Sequence, residues 1–328
     1  MAHMLETMAW AENEGPPWHG LGNKVSNKLT PEQMATAACC DWTVSKRKIF
    51  FDNMNGGSTT ELEQRYALVR DSDNKPFDVV TERWKPVQNI EGFSFFKKFV
   101  AAGHMEMETA GSLWGGKIVW ALARVKKDFK LGKADEVRSY LLMALPHQLG
   151  KAMIYQFTPI RVVCWNTLSW ALGSSLKGDG SGFRLLHSQK WDDSMKAAAE
   201  QALGLASHQM EEFKELSGLL VKKRVAESVT EEFFCEVLRF DPKKSEKDEP
   251  RMLPKFREAL AHAPGAQMDT SRGTMWGALN AVTYTIDHDT GKRDRGVALK
   301  NAWFGHLSNV KRRAVDLAVQ YAKKGRAA

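Results

Sequence analysis

The apolar positions of this chain change period near residue 190. Before that point, short runs alternate apolar and polar side chains, the two-residue period of strands with one buried face. WTVSKRKIFFD (42–52) reads as a strand with Lys46 and Lys48 on one face and Arg47 on the other. RYALVRD (65–71) and FDVVTE (77–82) flank a DNKP turn and predict a hairpin, because Asp, Asn and Pro supply the turn geometry. Further strands are predicted at 105–111, at 117–125 after a Gly115-Gly116 turn, at 137–145 and at 152–164. Helices are few here. Thr30-Pro31-Glu32-Gln33 predicts a helix start, with Thr30 as cap, Pro31 in the first turn and Gln33 closing a capping box. Residues 90–102 (IEGFSFFKKFVAA) have amphipathic helical spacing.

After Trp191 the period becomes helical. Thr230 before Glu231 and Glu232 marks one helix start. KKSEKDEPRMLP (243–254) reads as a charged loop, and two further helices are predicted on either side of the basic loop DTGKRDRG. The expected fold is α+β: a mainly antiparallel sheet covered by helices over residues 1–190, then a helical region, 191–328, packed on it.

With 328 residues and 43% hydrophobic content, the chain can bury a substantial core. It has no apolar run near the roughly 20 residues needed to cross a bilayer, and MAHMLETMAWAENEG lacks the features of a signal peptide. A bacterial cytoplasmic setting without membrane association is therefore expected. Cys39, Cys40, Cys164 and Cys235 do not resemble a disulfide framework, so reduced, buried thiols are expected.

Charge is unevenly placed. From Gly291 to Ala328 there are ten basic residues against two acids, which accounts for the whole net charge of +8. Clustered cations favour a polyanion partner, because binding releases counterions condensed on a phosphate chain. Lys292, Arg293, Arg295, Lys311, Arg312 and Arg313 are the candidate phosphate contacts. In TPIRVVCWNTL (158–168), strand alternation puts Arg161 and Trp165 on the face opposite Ile160, Val162 and Cys164, making them candidates for a groove floor. Asn166 is expected to cap the element that follows. Eleven tryptophans among 47 Lys and Arg supply the stacking and charge that single-strand binding uses.

Catalytic signatures are absent. The chain has no HExxH, Cys-x-x-Cys, GxSxG, P-loop or dinucleotide glycine pattern, so neither a cofactor nor catalysis is expected. Asp287-His288-Asp289 is the one local set of hard ligands, and it defines an alternative reading as a metal-dependent enzyme acting on nucleic acid or nucleotides. A second alternative is an interaction protein that blocks a host defence.

Several stretches resemble the DUF932 family, also called the phage/plasmid-like protein family. They are PWHGLG (17–22), LTPEQM with DWTV (29–44), RYALVR, ERWKPVQN (82–89), ETAGSLWGGKIVWALAR (108–124), TPIRVVCWNTL and GTMWGALNAVTYTIDH (273–288). The resemblance implies a setting in mobile genetic elements near replication and recombination genes, and no established activity. Together with the charge it leads to one expectation: a phage or plasmid DNA-binding protein that holds single-stranded DNA or anneals strands, as a homo-oligomer.

Overall fold

The computed structural model describes residues 5–11, 22–54, 57–161, 166–167, 182–187, 192, 193, 197, 211–243, 248–289 and 306–324. The chain divides into two compact units that are interleaved in sequence. One comprises Met1–Arg124, Leu141–Gln156 and Phe183–Ala202, and the other Val125–Tyr140, Phe157–Gly182 and Leu203–Ala328. This differs from a division near residue 190, because three long strands each begin in one unit and end in the other.

In chain order the elements are β1 (Leu5–Ala11), β2 (Asn23–Val25), α1 (Pro31–Ala37), β3 (Val44–Asp52), β4 (Thr59–Arg70), β5 (Lys75–Thr81), α2 (Asn89–Ser94) and α3 (Lys97–Ala101). Then come β6 (Met105–Leu113), β7 (Ile118–Leu131), β8 (Asp135–Pro146), β9 (Ala152–Arg161), β10 (Asn166–Thr167) and β11 (Gly182–Leu186). The helical part holds α4 (211–222), α5 (Glu227–Leu238), α6 (Leu253–His262), α7 (Met275–Tyr284) continuing into a π-helical turn (Thr285–Asp289), and α8 (His306–Lys323). The larger sheet runs β10-β9-β8-β7-β6-β1-β2 with β11 beside β9, and β3-β4-β5 form a second, antiparallel sheet. The fold is thus α+β with a helical C-terminal region, as the periodicity indicated.

In the first unit, Thr30 caps α1 with the expected box: its hydroxyl accepts from Gln33 N, and its own N–H donates to Gln33 Oε1. Arg70, at the end of β4, donates both terminal nitrogens to Glu6 at 2.9 and 3.0 Å and also pairs with Asp73. That bidentate geometry ties β4 to β1, and it is what a planar guanidinium provides and an ammonium does not. Residues 90–102 form two short helices. The break lets the adjacent Phe95 and Phe96 both reach Tyr155, at 4.1 and 5.9 Å, whereas neighbours on a straight helix point in different directions.

Other expectations need correction. Thr230 lies a turn inside α5, buried, and its hydroxyl donates to Ala226 O; the helix has already begun at Glu227. Asn166 belongs to β10, paired with Arg161, and the element it was expected to cap lies outside the described residues. Cys39 is exposed, while Cys40 and Cys235 are buried thiols as anticipated; Cys164 and most of PWHGLG lie outside the described residues.

His147 shows how tightly the first unit excludes water. It is fully buried against Trp42 and Phe77, with Nε2 2.8 Å from Asn89 Oδ1. The Asn89 amide nitrogen donates to Trp42 O, so Oδ1 is the acceptor and Nε2 carries the proton. Nδ1 has no hydrogen-bond partner among the described residues. Burial, with His187 nearby, therefore holds the imidazole down at about 3, against an ordinary 6.5. The folded chain refuses a proton that the unfolded chain takes near pH 6.5, so stability is full above that pH and falls as pH drops toward about 3. We expect urea unfolding to show about 2 kcal/mol lost from this group between pH 7 and pH 5, at about 1.4 kcal/mol per unit. His147→Gln should lose less over the same interval, and equal losses in both proteins would contradict the assignment.

Candidate nucleic-acid interface

Asp135, first residue of β8, is completely buried in the second unit. Its Oδ2 accepts from Thr270 Oγ1 at 2.7 Å and from Trp276 Nε1 at 3.0 Å. A carboxylate is held in an apolar interior only when donors replace its water. The first turn of α7, opened by Thr274 accepting from Gly277 N, adds the positive end of a helix dipole. The clasp fixes the β7–β8 turn against segment 270–276. Gly132 in that turn has φ +59°, and a Cβ there would meet Thr270 Cγ2 at 3.1 Å. Gly277 is equally constrained, since a Cβ would come within 2.0 Å of Ser271 O.

A third segment is stitched to the same place. Beyond the end of α4, residues 223–225 pair with 273–275: Met275 N donates to Lys223 O at 2.9 Å and Val225 N to Gly273 O at 3.1 Å. Arg224 also donates to Arg272 O at 2.7 Å.

These contacts gather Lys130 and Lys133 from the hairpin, Lys222, Lys223 and Arg224 from the end of α4, and Arg272 from the loop before α7. Five of the six are exposed and Lys223 is half-buried. None forms an ion pair among the described residues. The same segments carry three exposed carboxylates, Asp128, Glu227 and Asp269. Asp135 is turned inward and used by the clasp and Glu136 pairs with Arg138, so among the described residues six cations face three exposed acids. An arrangement of this kind suits a chain of phosphates, whose spacing lets several cations engage together.

The residues singled out by C-terminal charge are placed differently. Lys311 is wholly buried and pairs with Asp287 at 2.6 Å, so it is no phosphate contact. It lies on the inward face of α8 with Val310, Ala314, Val315 and Ala318. Burial pushes its ammonium below the ordinary lysine range, and Asp287 opposes that shift. Arg313 is half-buried and donates two N–H groups to Val237 O, which closes the end of α5. Arg312 donates to Asn309 Oδ1. Lys292, Arg293, Arg295 and Trp165 lie outside the described residues; Arg161 ends β9, with only its backbone described. Of the described tryptophans, Trp84, Trp120 and Trp276 are buried and Trp10, Trp42 and Trp114 are half-buried.

The Asp287-His288-Asp289 triple does not act as one chelating set. Asp287 pairs with Lys311, Asp289 with Lys255 at 2.9 Å, and the His288 ring packs 4.6 Å from that of Tyr284. A π-helical turn spreads the three side chains, and no group of three or more His, Cys, Asp or Glu able to hold a metal occurs among the described residues. Nor is any helix among them long and apolar enough to cross a membrane.

Fold and site together define an α+β protein with a cationic surface clasped onto the start of a buried helix. The chain belongs to the DUF932 family, a domain of unknown function, whose model matches residues 76–304 and so includes all three cationic segments. Comparisons with curated proteins and with solved structures gave no match.

Removing the clasp strands two buried donors, at about 1–3 kcal/mol each. Asp135→Ala should therefore lower the free energy of urea unfolding by at least about 2 kcal/mol. A loss below about 1 kcal/mol would show that the carboxylate does not hold the segments.

Proposed function

We propose that this protein binds single-stranded DNA by its phosphate backbone, through Lys130, Lys133, Lys222, Lys223, Arg224 and Arg272. The observation that carries the reading is that six cations, on three segments joined by a buried clasp and the 223–225 backbone pairing, form no ion pair among the described residues. Backbone contacts of this type do not read sequence, so affinity is general. In a phage or plasmid setting the role is to hold or anneal strands during recombination or replication, inside a bacterial cytoplasm. Annealing requires many copies aligned on each strand, so the protein works as a homo-oligomer, in which linked sites raise the effective concentration of the second strand. No metal or nucleophile takes part.

Neutralising six phosphates gives a slope of about −4 in log K against log salt, at about 0.7 per single-strand contact. The combined variant Lys222→Gln, Lys223→Gln, Arg272→Gln should bring the slope to about −2, while Lys323→Gln, Lys324→Gln leaves it unchanged. Gel shifts with single- and double-stranded oligonucleotides over a salt series measure both slopes and the strand preference. An unaltered slope in the triple variant, or tighter binding of duplex, would overturn the reading.

A further inference from the structure

A cleft of about 280 Å³ opens between α6 and the π-helical turn, with Lys255, Glu258, His262, Tyr284, His288 and Asp289 among its walls. It lies at the far end of α7 from the clasp, and ten helical residues span about 15 Å. π-Helical turns occur frequently at functional sites, because they rotate a stretch of side chains out of the regular helical register.

We propose that the cleft receives one nucleobase that carries an amino group, from the strand whose phosphates lie on the cationic segments. The assignment deepens the proposed function and rests on it.

Three features select a base over a phosphate. Among the described residues of the cleft, Glu258 and Asp289 stand against one ammonium, Lys255, and that ammonium already pairs with Asp289 at 2.9 Å. An anion entering here would meet net repulsion, whereas an uncharged heterocycle would not. The Glu258 carboxylate and the His262 imidazole, one helical turn apart and both exposed, have no side-chain hydrogen bond or ion pair among the described residues. A carboxylate accepts the amino hydrogens of cytosine, adenine or guanine, and thymine and uracil offer no such group. The Tyr284 and His288 rings, 4.6 Å apart, give the cleft an aromatic wall against which a base can pack. The volume suits a single base or nucleoside rather than a length of strand.

The test uses free nucleosides first. Saturation transfer from the full-length protein to cytidine and adenosine should exceed that to thymidine at millimolar concentration, and Glu258→Ala should abolish the difference. Glu258 is exposed on a surface helix and alanine favours helix, so the variant keeps its fold. In gel shifts, dC12 should bind about tenfold more tightly than dT12, with the ratio falling to about one in Glu258→Ala and the salt slope unchanged. Equal transfer to all nucleosides, or a preference that survives Glu258→Ala, overturns the cleft assignment. Nucleoside binding without oligonucleotide binding overturns the proposed function and, with it, the strand as the source of the base, while the cleft's choice of an amino-bearing base stands. Oligonucleotide binding with no base preference does the reverse.

Discussion

A buried carboxylate that cannot leave its donors is the constraint on which the candidate interface depends. Asp135 has no access to water, so the Thr270 hydroxyl and the Trp276 indole must stay within hydrogen-bond distance whenever the chain is folded. Those two donors sit on either side of the turn that starts α7. The hairpin that carries Asp135 is thereby fixed to that turn, and the 223–225 ladder brings the end of α4 to the same edge.

The electrostatic consequence follows from where the carboxylate points. Had Asp135 faced outward, Lys133 and its neighbours would have a nearby partner, and an exposed pair of that kind contributes little to stability while cancelling charge. Turned inward, it stabilises the fold and leaves the six cations without an ion pair among the described residues. Lys311 illustrates the opposite solution within the same unit: a lysine drawn into the core and matched to Asp287, with its charge removed from the surface. Both carboxylates are buried, and the position of the lysine, on the buried face of α8 or on an exposed turn, decides which role it takes.

Much of the fold was legible in the sequence. The two-residue period located β3 to β9, though β4 starts six residues earlier and β7 ends six residues later than predicted, and Thr30-Pro31-Glu32-Gln33 named its own helix start. What escaped was anything set by tertiary packing. Phe95 and Phe96 split a helix that periodicity read as continuous, because both rings are needed at Tyr155. Net charge was a poor guide to the interface, since it sums over space. Residues 1–290 balance to zero, which concealed Lys222-Lys223-Arg224 behind Glu211, Glu212 and Glu215 at the other end of their helix. A signal against Lys311 was present: it falls at helical spacing with Ala314, Val315 and Ala318, on the apolar stripe of α8. Asp135 gave none, because its donors lie 135 and 141 residues away.

The central claim concerns which surface meets the phosphate chain. Photocrosslinking with a single-stranded oligonucleotide bearing 5-bromodeoxyuridine, followed by peptide mass spectrometry, addresses it directly. The account predicts crosslinks concentrated at residues 128–133, 222–227 and 269–274. Crosslinks confined to α8 or to the β3-β4-β5 sheet, with those three segments unmodified, would contradict it.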